Sequence, residues 1–275
     1  MVVKQPGTAP RDFFATHPVF TLAEFAVWYG SRRAGGQRGV EALLSYHTKS
    51  GRLVRVRRGL YAVVPLGVPP AGLPVDPYLL AGKMTDDAVL AYHTALGFHG
   101  KAHSVAHQFF YLTKRAARPF AFQGQRFLGL SIPASLRARK AEHYGVVTAD
   151  RLGLDLRVTA MERTMGDLLD RPQFGGGWEE IWRSLESVEF LDLDAVIEYA
   201  LLLGNATTIA KVGFFLEQHG SALMVEDRHL DRLRAHRPRE PHYLSRRDRR
   251  SGRLAPGWNL VVPPAVIEQR WQEIA

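Results

Sequence analysis

The chain has 275 residues, of which 46% are hydrophobic, enough for one large or two modest packed domains. It contains no cysteine, which excludes disulfides, thiolate metal sites and cysteine nucleophiles. No apolar run reaches the ~18–20 residues that a membrane span needs, and the first residues lack the apolar stretch of a signal peptide. We therefore expect a cytoplasmic protein.

The formal net charge is +9, and the basic excess lies in two segments. Residues 1–75 carry ten Lys or Arg against three Asp or Glu, and residues 228–253 carry ten Arg against three acidic residues. The rest of the chain is mildly acidic. Basic segments of this kind favour a polyanionic partner, and DNA or RNA is the usual one.

Two helices are predicted near the N-terminus. Thr21 and Glu24 have the spacing of a capping box, which starts a helix that Gly30 ends. After a basic, glycine-rich turn, a second amphipathic helix is expected from Gln37 to Lys49. Its apolar face consists of Val40, Leu43 and Leu44, with His47 as a further candidate.

A basic hairpin follows in the stretch GRLVRVRRGLYAVVP, from Gly51 to Pro65. Two β-prone runs flank Gly59, which can adopt a positive φ at no steric cost. Arginines on such a hairpin can be a solvated rim that serves solubility alone. The two preceding helices favour another interpretation, because helix, turn, helix and hairpin is the order of a winged helix-turn-helix.

In a winged helix the second helix enters the major groove and the hairpin lies on the phosphate backbone. Gln37, Arg38, Glu41 and Ser45 are the base-reading candidates, although Glu41 can equally be an ordinary solvent-facing residue. Some winged helices serve protein–protein contact instead. The predicted DNA contacts are Arg32, Arg33, Gln37, Arg38, Ser45, Lys49, Arg52, Arg55, Arg57 and Arg58.

The region beyond the hairpin is predicted to be a larger α+β domain, with an antiparallel sheet followed by a helical C-terminal part. Residues 65–77 contain five prolines and are expected to form a linker without regular structure. The predicted elements are a helix at 78–96, strands at 108–113, 120–123, 126–132, 144–148 and 154–158, a helix beginning with a capping box at 159–162, helices at 178–187, 192–203, 205–219 and 222–235, and a strand at 259–262.

Three patterns in this region resemble chemical sites. The histidines at 93, 99, 103 and 107 have no acidic residue near them in sequence, so packing histidines are favoured over metal ligands. Arg163 and Asp167 are spaced for an inward structural ion pair rather than for catalysis. The FGGGW run at 174–178 lacks the Gly-Lys-Ser/Thr ending of a phosphate loop. We expect no catalytic residue, no metal and no cofactor.

The order of four motifs resembles the AbiEi-type antitoxins of type IV, abortive-infection toxin–antitoxin systems. These motifs are RRGLYAV, AYHTALGFHG, TAMERTMGDLLDRPQFGGGWEE and AVIEYALLLGNATTIAKVGFFLEQHG, and together they cover roughly residues 21–220. The resemblance implies that residues 1–64 bind inverted repeats in double-stranded DNA of the protein's own promoter. It also implies that residues 78–275 neutralise a cognate nucleotidyltransferase toxin, with or without a stable direct contact, in phage defence or growth control.

Two alternatives remain open at this point. One is a winged-helix regulator whose second domain senses a small molecule in an apolar pocket. The other is an antitoxin with kinase-like or nuclease-like activity, which would depend on an acidic residue such as Asp167. The arginine-rich segment from Arg228 to Arg253 is not part of the resemblance. Three interpretations of this segment remain: a second DNA contact, a surface for the toxin, or a surface for the toxin's RNA substrate.

Overall fold

A computed structural model describes residues 9–30, 37–245 and 251–268. The N-terminal elements follow the predicted helix–turn–helix–hairpin order, preceded by a short helix and a strand that the sequence patterns did not indicate. They are α1 (Pro10–Thr16), β1 (Val19–Thr21), α2 (Leu22–Gly30), α3 (Gln37–Lys49), β2 (Leu53–Arg57) and β3 (Leu60–Val63). The capping box is confirmed, because the Thr21 amide donates to Glu24 Oε2 at 2.7 Å and the Glu24 amide donates to Thr21 Oγ1 at 3.2 Å.

The three N-terminal strands form one antiparallel sheet in the order β1-β3-β2. One face of this sheet packs on α1–α3, where Phe20 and Tyr61 join an aromatic core. The opposite face carries Leu60 and Ala62, which lie in an apolar cluster shared with the following part of the chain. Adjacent residues of β3 therefore enter different cores, as the period-2 alternation of a strand requires.

The proline-rich segment at 65–77 packs against the body of the protein. Pro70–Gly72 forms one 3₁₀ turn, a small departure from the prediction of no regular structure. We call the part of the chain from residue 78 onward the larger unit. Leu73 is buried in the apolar cluster shared by the hairpin and the larger unit, and the Gln123 side chain donates to its carbonyl at 2.7 Å. The division into domains at this segment stays a prediction.

The predicted helix at 78–96 is wrong, because this stretch contains two short helices and a strand. They are α4 (Pro77–Gly82), β4 (Val89–Leu90) and α5 (His93–Phe98). Asp76 caps α4 by accepting from the amides of Tyr78 and Leu79. Residues 88–91 are almost wholly buried, so the apolar run that suggested a helix face forms a short central strand instead.

The larger sheet has six strands in the order β6-β7-β5-β4-β9-β8. The remaining strands lie close to their predicted positions: β5 (Gln108–Thr113), β6 (Phe120–Phe122), β7 (Gln125–Ser131), β8 (Val146–Arg151) and β9 (Leu154–Thr159). Three of its five strand pairs are antiparallel, and the pairs β5–β7 and β4–β9 are parallel. The α+β class with a helical C-terminal part is confirmed.

Helices cover this sheet and continue to the C-terminal region. They are α6 (Ala134–Ala138), α7 (Met161–Asp170), α8 (Trp178–Glu186), α9 (Leu193–Leu203), α10 (Ala206–Gln218) and α11 (Asp227–Arg234), followed by a small sheet of β10 (His242–Tyr243), β11 (Arg253–Ala255) and β12 (Leu260–Val262), and by α12 (Pro264–Ile267). In the described residues, no helix combines the length and apolar character needed to cross a membrane.

The predicted capping box at 159–162 is wrong. Thr159 is the last residue of β9, and its hydroxyl pairs with the Thr164 hydroxyl at 2.7 Å. The inward ion pair of the same helix is confirmed: Arg163 Nε lies 3.3 Å from Asp167 Oδ2, and both side chains are buried. The Tyr199 hydroxyl donates to Asp167 Oδ1 at 2.5 Å, which joins α9 to α7. This cluster is a structural element of the helical layer.

Candidate DNA-binding surface

Helix α3 is held on the winged-helix core by Val40, Leu44 and His47, which are all buried. Both ring nitrogens of His47 lack a hydrogen-bond partner among the described residues. Burial, and secondarily the charge of Arg52, lower the pKa of His47 below its ordinary value of 6.5. The ring is therefore neutral at pH 7 and acts as part of the apolar face.

The opposite face of α3 is exposed. Its exposed side chains include Arg38, Glu41, Ser45, Tyr46 and Lys49. Arg38, Ser45 and Lys49 thus lie on the surface where the sequence placed DNA contacts. Arg32 and Arg33 lie outside the described residues, and so does the side chain of Gln37.

The wing is a tight hairpin whose two-residue turn is Arg58-Gly59. Gly59 has a φ of 78°, so the expected positive φ is confirmed. Its carbonyl accepts from the Leu22 amide at 2.8 Å, which ties the wing tip to the start of α2. The position of the wing relative to the helices is therefore held by backbone hydrogen bonding.

A bulge in β2 changes the direction of one wing arginine. Arg55 pairs with Tyr61 and Arg57 pairs with Leu60, so the extra residue is Val56. Directly paired residues share a face of the sheet. Arg55 therefore lies on the winged-helix side with Tyr61, and Arg57 lies on the side of Leu60, facing the larger unit.

Arg57 is consequently placed differently from the other wing arginines. Its guanidinium donates to the Met84 carbonyl and lies 6.0 Å from the centre of the Phe120 ring. Both partners belong to the larger unit. The side chain is half-buried, whereas Arg52, Arg55 and Arg58 are exposed. Arg57 thus connects the wing to the larger unit instead of extending from the hairpin rim into solvent.

Part of the exposed face of α3 and part of the wing line one open cleft, which we call the recognition cleft. The exposed residues Arg38 and Arg52 are not among its lining residues. It has a volume of about 750 Å³. Its lining residues are Leu22, Glu41, Ser45, Thr48, Lys49, Arg55, Arg58, Gly59 and Tyr61. The cationic side chains can neutralise phosphates, and the hydroxyls and Glu41 can meet base edges.

Two residues on the surface of α3, Tyr46 and Thr48, are not among the predicted DNA contacts. Thr48 lines the recognition cleft, and its hydroxyl donates to the Leu44 carbonyl at 2.8 Å. Tyr46 is 61% exposed although it is a large aromatic residue. The helical spacing of Glu41, Ser45 and Thr48 was a signal for Thr48, because residues at i, i+4 and i+7 share a helix face.

The larger unit contains a buried histidine–carboxylate contact that the sequence did not indicate. His93 Nε2 lies 2.8 Å from Glu180 Oε1, which also accepts from the amides of His103 and Ser104, at 3.1 Å in each case. The carboxylate thus anchors the loop after α5 to α8. Across the described ranges, no group of three or more His, Cys, Asp or Glu residues is arranged to hold a metal ion.

The N-terminal part of the chain has the fold of a winged helix-turn-helix, which is common among DNA-binding regulators. Residues 9–64 match the family described as "Transcriptional regulator, AbiEi antitoxin", which confirms the resemblance to AbiEi-type antitoxins in this part of the chain. The match supports a DNA-binding regulator role. A comparison with curated proteins gave no match.

The whole chain is similar in fold to a solved structure, the RV2827C protein from Mycobacterium tuberculosis. The two chains are 17% identical, 99% of each is covered, and the TM-score is 0.60. The similarity therefore extends beyond the winged helix to the larger unit, and at this identity it concerns the fold alone.

Proposed function

We propose that this protein represses its own toxin–antitoxin operon by binding DNA through the recognition cleft. The observation that carries the proposal is the convergence of α3 with Arg55 and Arg58 on one exposed surface. The buried contacts of Val40, Leu44 and His47 leave the polar face of α3 available for a major groove. An inverted repeat offers two equivalent half-sites, so two copies of the chain would occupy one operator.

A gel-shift titration on the DNA upstream of the gene tests the DNA part. The titration is made at several salt concentrations, with scrambled DNA as competitor. The proposal expects tight, competitor-resistant binding whose affinity falls steeply with salt, because phosphate contacts release counterions. Equal, weak binding to both DNAs would contradict the autoregulator function.

We further propose that the larger unit neutralises a cognate nucleotidyltransferase toxin encoded next to it. The order of motifs in the larger unit, which resembles that of the antitoxins, supports this role. Co-expression of the toxin with the full chain should restore growth. The double variant Arg55→Gln/Arg58→Gln is the matched control, because it should lose operator binding and still restore growth. Failure of the unmodified chain to protect would contradict the antitoxin role and leave the DNA proposal intact.

A ligand-sensing regulator is the second candidate, and a cavity favours it. The cavity has a volume of about 330 Å³ and is lined partly by Tyr78, His93, Thr94 and Phe109. Its mixture of aromatic and polar side chains suits a small organic molecule. If this candidate is right, the affinity for the operator should change when small molecules extracted from the cells that produce the protein are added. An unchanged affinity would leave the antitoxin proposal as the better one.

We propose no catalytic role for this protein. Asp167, the carboxylate on which the enzymatic alternative depended, accepts from Tyr199 and pairs with Arg163 in the interior. Those contacts satisfy the carboxylate within the helical layer, so it has no open side for a substrate. A metal- or ATP-dependent activity that disappears in Asp167→Asn while the fold is retained would contradict this proposal.

A further inference from the structure

A second cleft lies between the winged helix and the larger unit, and we call it the inter-unit cleft. It has a volume of about 690 Å³. Its walls come from the start of α2, the wing tip, the loop between α4 and β4, and strands β8 and β9. Arg58 and Gly59 line both this cleft and the recognition cleft, so the two are adjacent.

The inter-unit cleft has an excess of positive charge. Its lining includes five basic side chains and three acidic ones, an excess of two positive charges. The basic residues are Arg57, Arg58, Lys83, Arg115 and Arg157, and the acidic residues are Glu24, Asp86 and Asp155. Lys83 is paired with Glu24, and Arg115 lies 2.5 Å from Asp86.

The other three basic residues of the cleft are arginines whose charge is not neutralised by a carboxylate. In the part of the chain that the structure describes, Arg57, Arg58 and Arg157 form no ion pair with an acidic side chain. Arg57 and Arg58 come from the wing and Arg157 comes from β9, so both the winged helix and the larger unit contribute these arginines to one cleft. With Asp155 as the remaining acidic residue of the lining, these arginines leave a net excess of two positive charges in the cleft, which a bound anion would offset.

Two of these guanidiniums are held in place by the same loop. Arg57 donates to the Met84 carbonyl, and Arg157 donates to the Asp86 carbonyl. A guanidinium has five N–H donors in a planar fork, so each keeps donors for a ligand after this contact. The fork geometry matches phosphate oxygens in pairs, which a lysine ammonium cannot do. Both guanidiniums are therefore held at the cleft with N–H donors still available.

We propose that the inter-unit cleft binds a small anion with at least two phosphate groups, such as pyrophosphate or the phosphate chain of a nucleotide. Arg157 from β9 and Arg58 from the wing would hold it, and Arg57 would add a third guanidinium. Because Arg58 also lines the recognition cleft, the bound anion would compete with DNA. Anion binding itself does not depend on the antitoxin role or on autoregulation, whereas the competition rests on the proposed DNA binding through the recognition cleft.

Isothermal titration of the full chain with pyrophosphate at constant ionic strength tests the proposal, with inorganic phosphate as the weaker comparison. The unmodified protein should bind pyrophosphate at a single site. Arg157→Gln should weaken binding about 10- to 100-fold, the range expected for losing a charge-assisted hydrogen bond. Arg137→Gln is the matched control, because it removes the same charge from an exposed position on α6 that does not line the cleft.

A second variant keeps the test valid if Arg157→Gln does not fold, as judged by thermal unfolding. Arg58→Gln changes an exposed turn residue and should weaken pyrophosphate binding to a similar extent. The unmodified protein should also lose DNA affinity when pyrophosphate is added. In Arg157→Gln that loss should disappear.

DNA phosphates are the other source of the same ligand chemistry. If they alone occupy the cleft, Arg157→Gln will weaken DNA binding while pyrophosphate gives no heat, and the proposal is overturned. Pyrophosphate binding that is equal in Arg157→Gln and Arg137→Gln would also overturn it, because the anion would then be held by overall charge. Failure of operator binding in the unmodified protein would leave the pyrophosphate result unaffected.

Discussion

Arg55 and Arg57 stand two residues apart in one strand, yet they lie on opposite faces of the wing. The bulge at Val56 pairs Arg55 with Tyr61 and Arg57 with Leu60. In a regular strand, residues at i and i+2 share a face, so both arginines would have lain together. As a result Arg55 lines the recognition cleft, and Arg57 contacts Met84 in the larger unit.

The first prediction separates these arginines by the salt dependence of DNA binding. The slope of log affinity against log salt is negative. Arg55→Gln and Arg58→Gln should each make it shallower, by about 0.9 for each phosphate that is no longer neutralised. Arg57→Gln should leave the slope unchanged, because the bulge turns this side chain away from the recognition cleft and toward the larger unit. Gel-shift titrations at a series of salt concentrations measure the slopes. An equal change in Arg57→Gln would mean that Arg57 also neutralises a DNA phosphate, and would contradict this separation.

The second prediction concerns sequence preference. Arg38 is exposed at the start of α3, where a recognition helix meets base edges. Arg38→Ala should cost about 1–3 kcal/mol on the preferred operator and much less on scrambled DNA. Competition titrations with both DNAs give the two values. An equal loss on both would assign Arg38 to the phosphate backbone.

The third prediction concerns pH and the pair of Glu24 with Lys83. Burial raises the pKa of Glu24, but hydrogen bonds from Lys83 and from the Thr21 amide outweigh it, so the pKa is lowered from its ordinary value of 4.5. A carboxyl with a lowered pKa in the folded state stabilises the fold above its unfolded pKa. That contribution is lost as the pH falls through the folded value.

Glu24→Gln should therefore reduce the free energy of unfolding at pH 7 by about 0.5–1 kcal/mol, the range for a partly exposed pair. The difference from the unmodified protein should shrink as the pH falls below 4.5. This difference in unfolding free energy is measured by urea unfolding of both proteins at neutral pH and at two acidic pH values, one above and one below 4.5. A difference that stays constant over this range would show that the pair does not set the effect.

The fourth prediction concerns the buried pair in α7. Asp167→Asn removes the negative partner of Arg163 and leaves a guanidinium charge in the interior. This substitution should lower the free energy of unfolding by about 3–5 kcal/mol. Asp194→Asn is the control, because its ion pair with Arg232 is exposed and should contribute less than about 1 kcal/mol. Similar losses in the two variants would contradict the buried-pair assignment.

The fifth prediction concerns the arginine-rich segment from Arg228 to Arg253. Arg234 pairs with Glu217 at 2.6 Å, and its guanidinium lies 5.3 Å from the centre of the buried Trp258 ring. Arg234→Gln should therefore lower the melting temperature and leave the salt slope of DNA binding unchanged. Arg239→Gln, at an exposed position, is the stability control. A reduced slope in folded Arg234→Gln would make this segment a second DNA contact.

Local patterns determined α2, α3 and the wing hairpin, but not α1 or β1. The capping box of Thr21 and Glu24, the 3.6-residue period of α3 and the positive φ of Gly59 depend on residues close together in the chain, so the sequence alone indicated them. The same logic placed Arg163 and Asp167, one helical turn apart, as a pair.

Only the tertiary structure decided which face each wing arginine occupies, because the bulge at Val56 depends on the pairing of β2 with β3. The same holds for the stretch at 78–96, where burial in the six-stranded sheet outweighs the helical pattern. The inter-unit cleft joins Arg58 and Arg157, which are far apart in the chain. Contacts at such separation depend on packing, which local spacing does not encode.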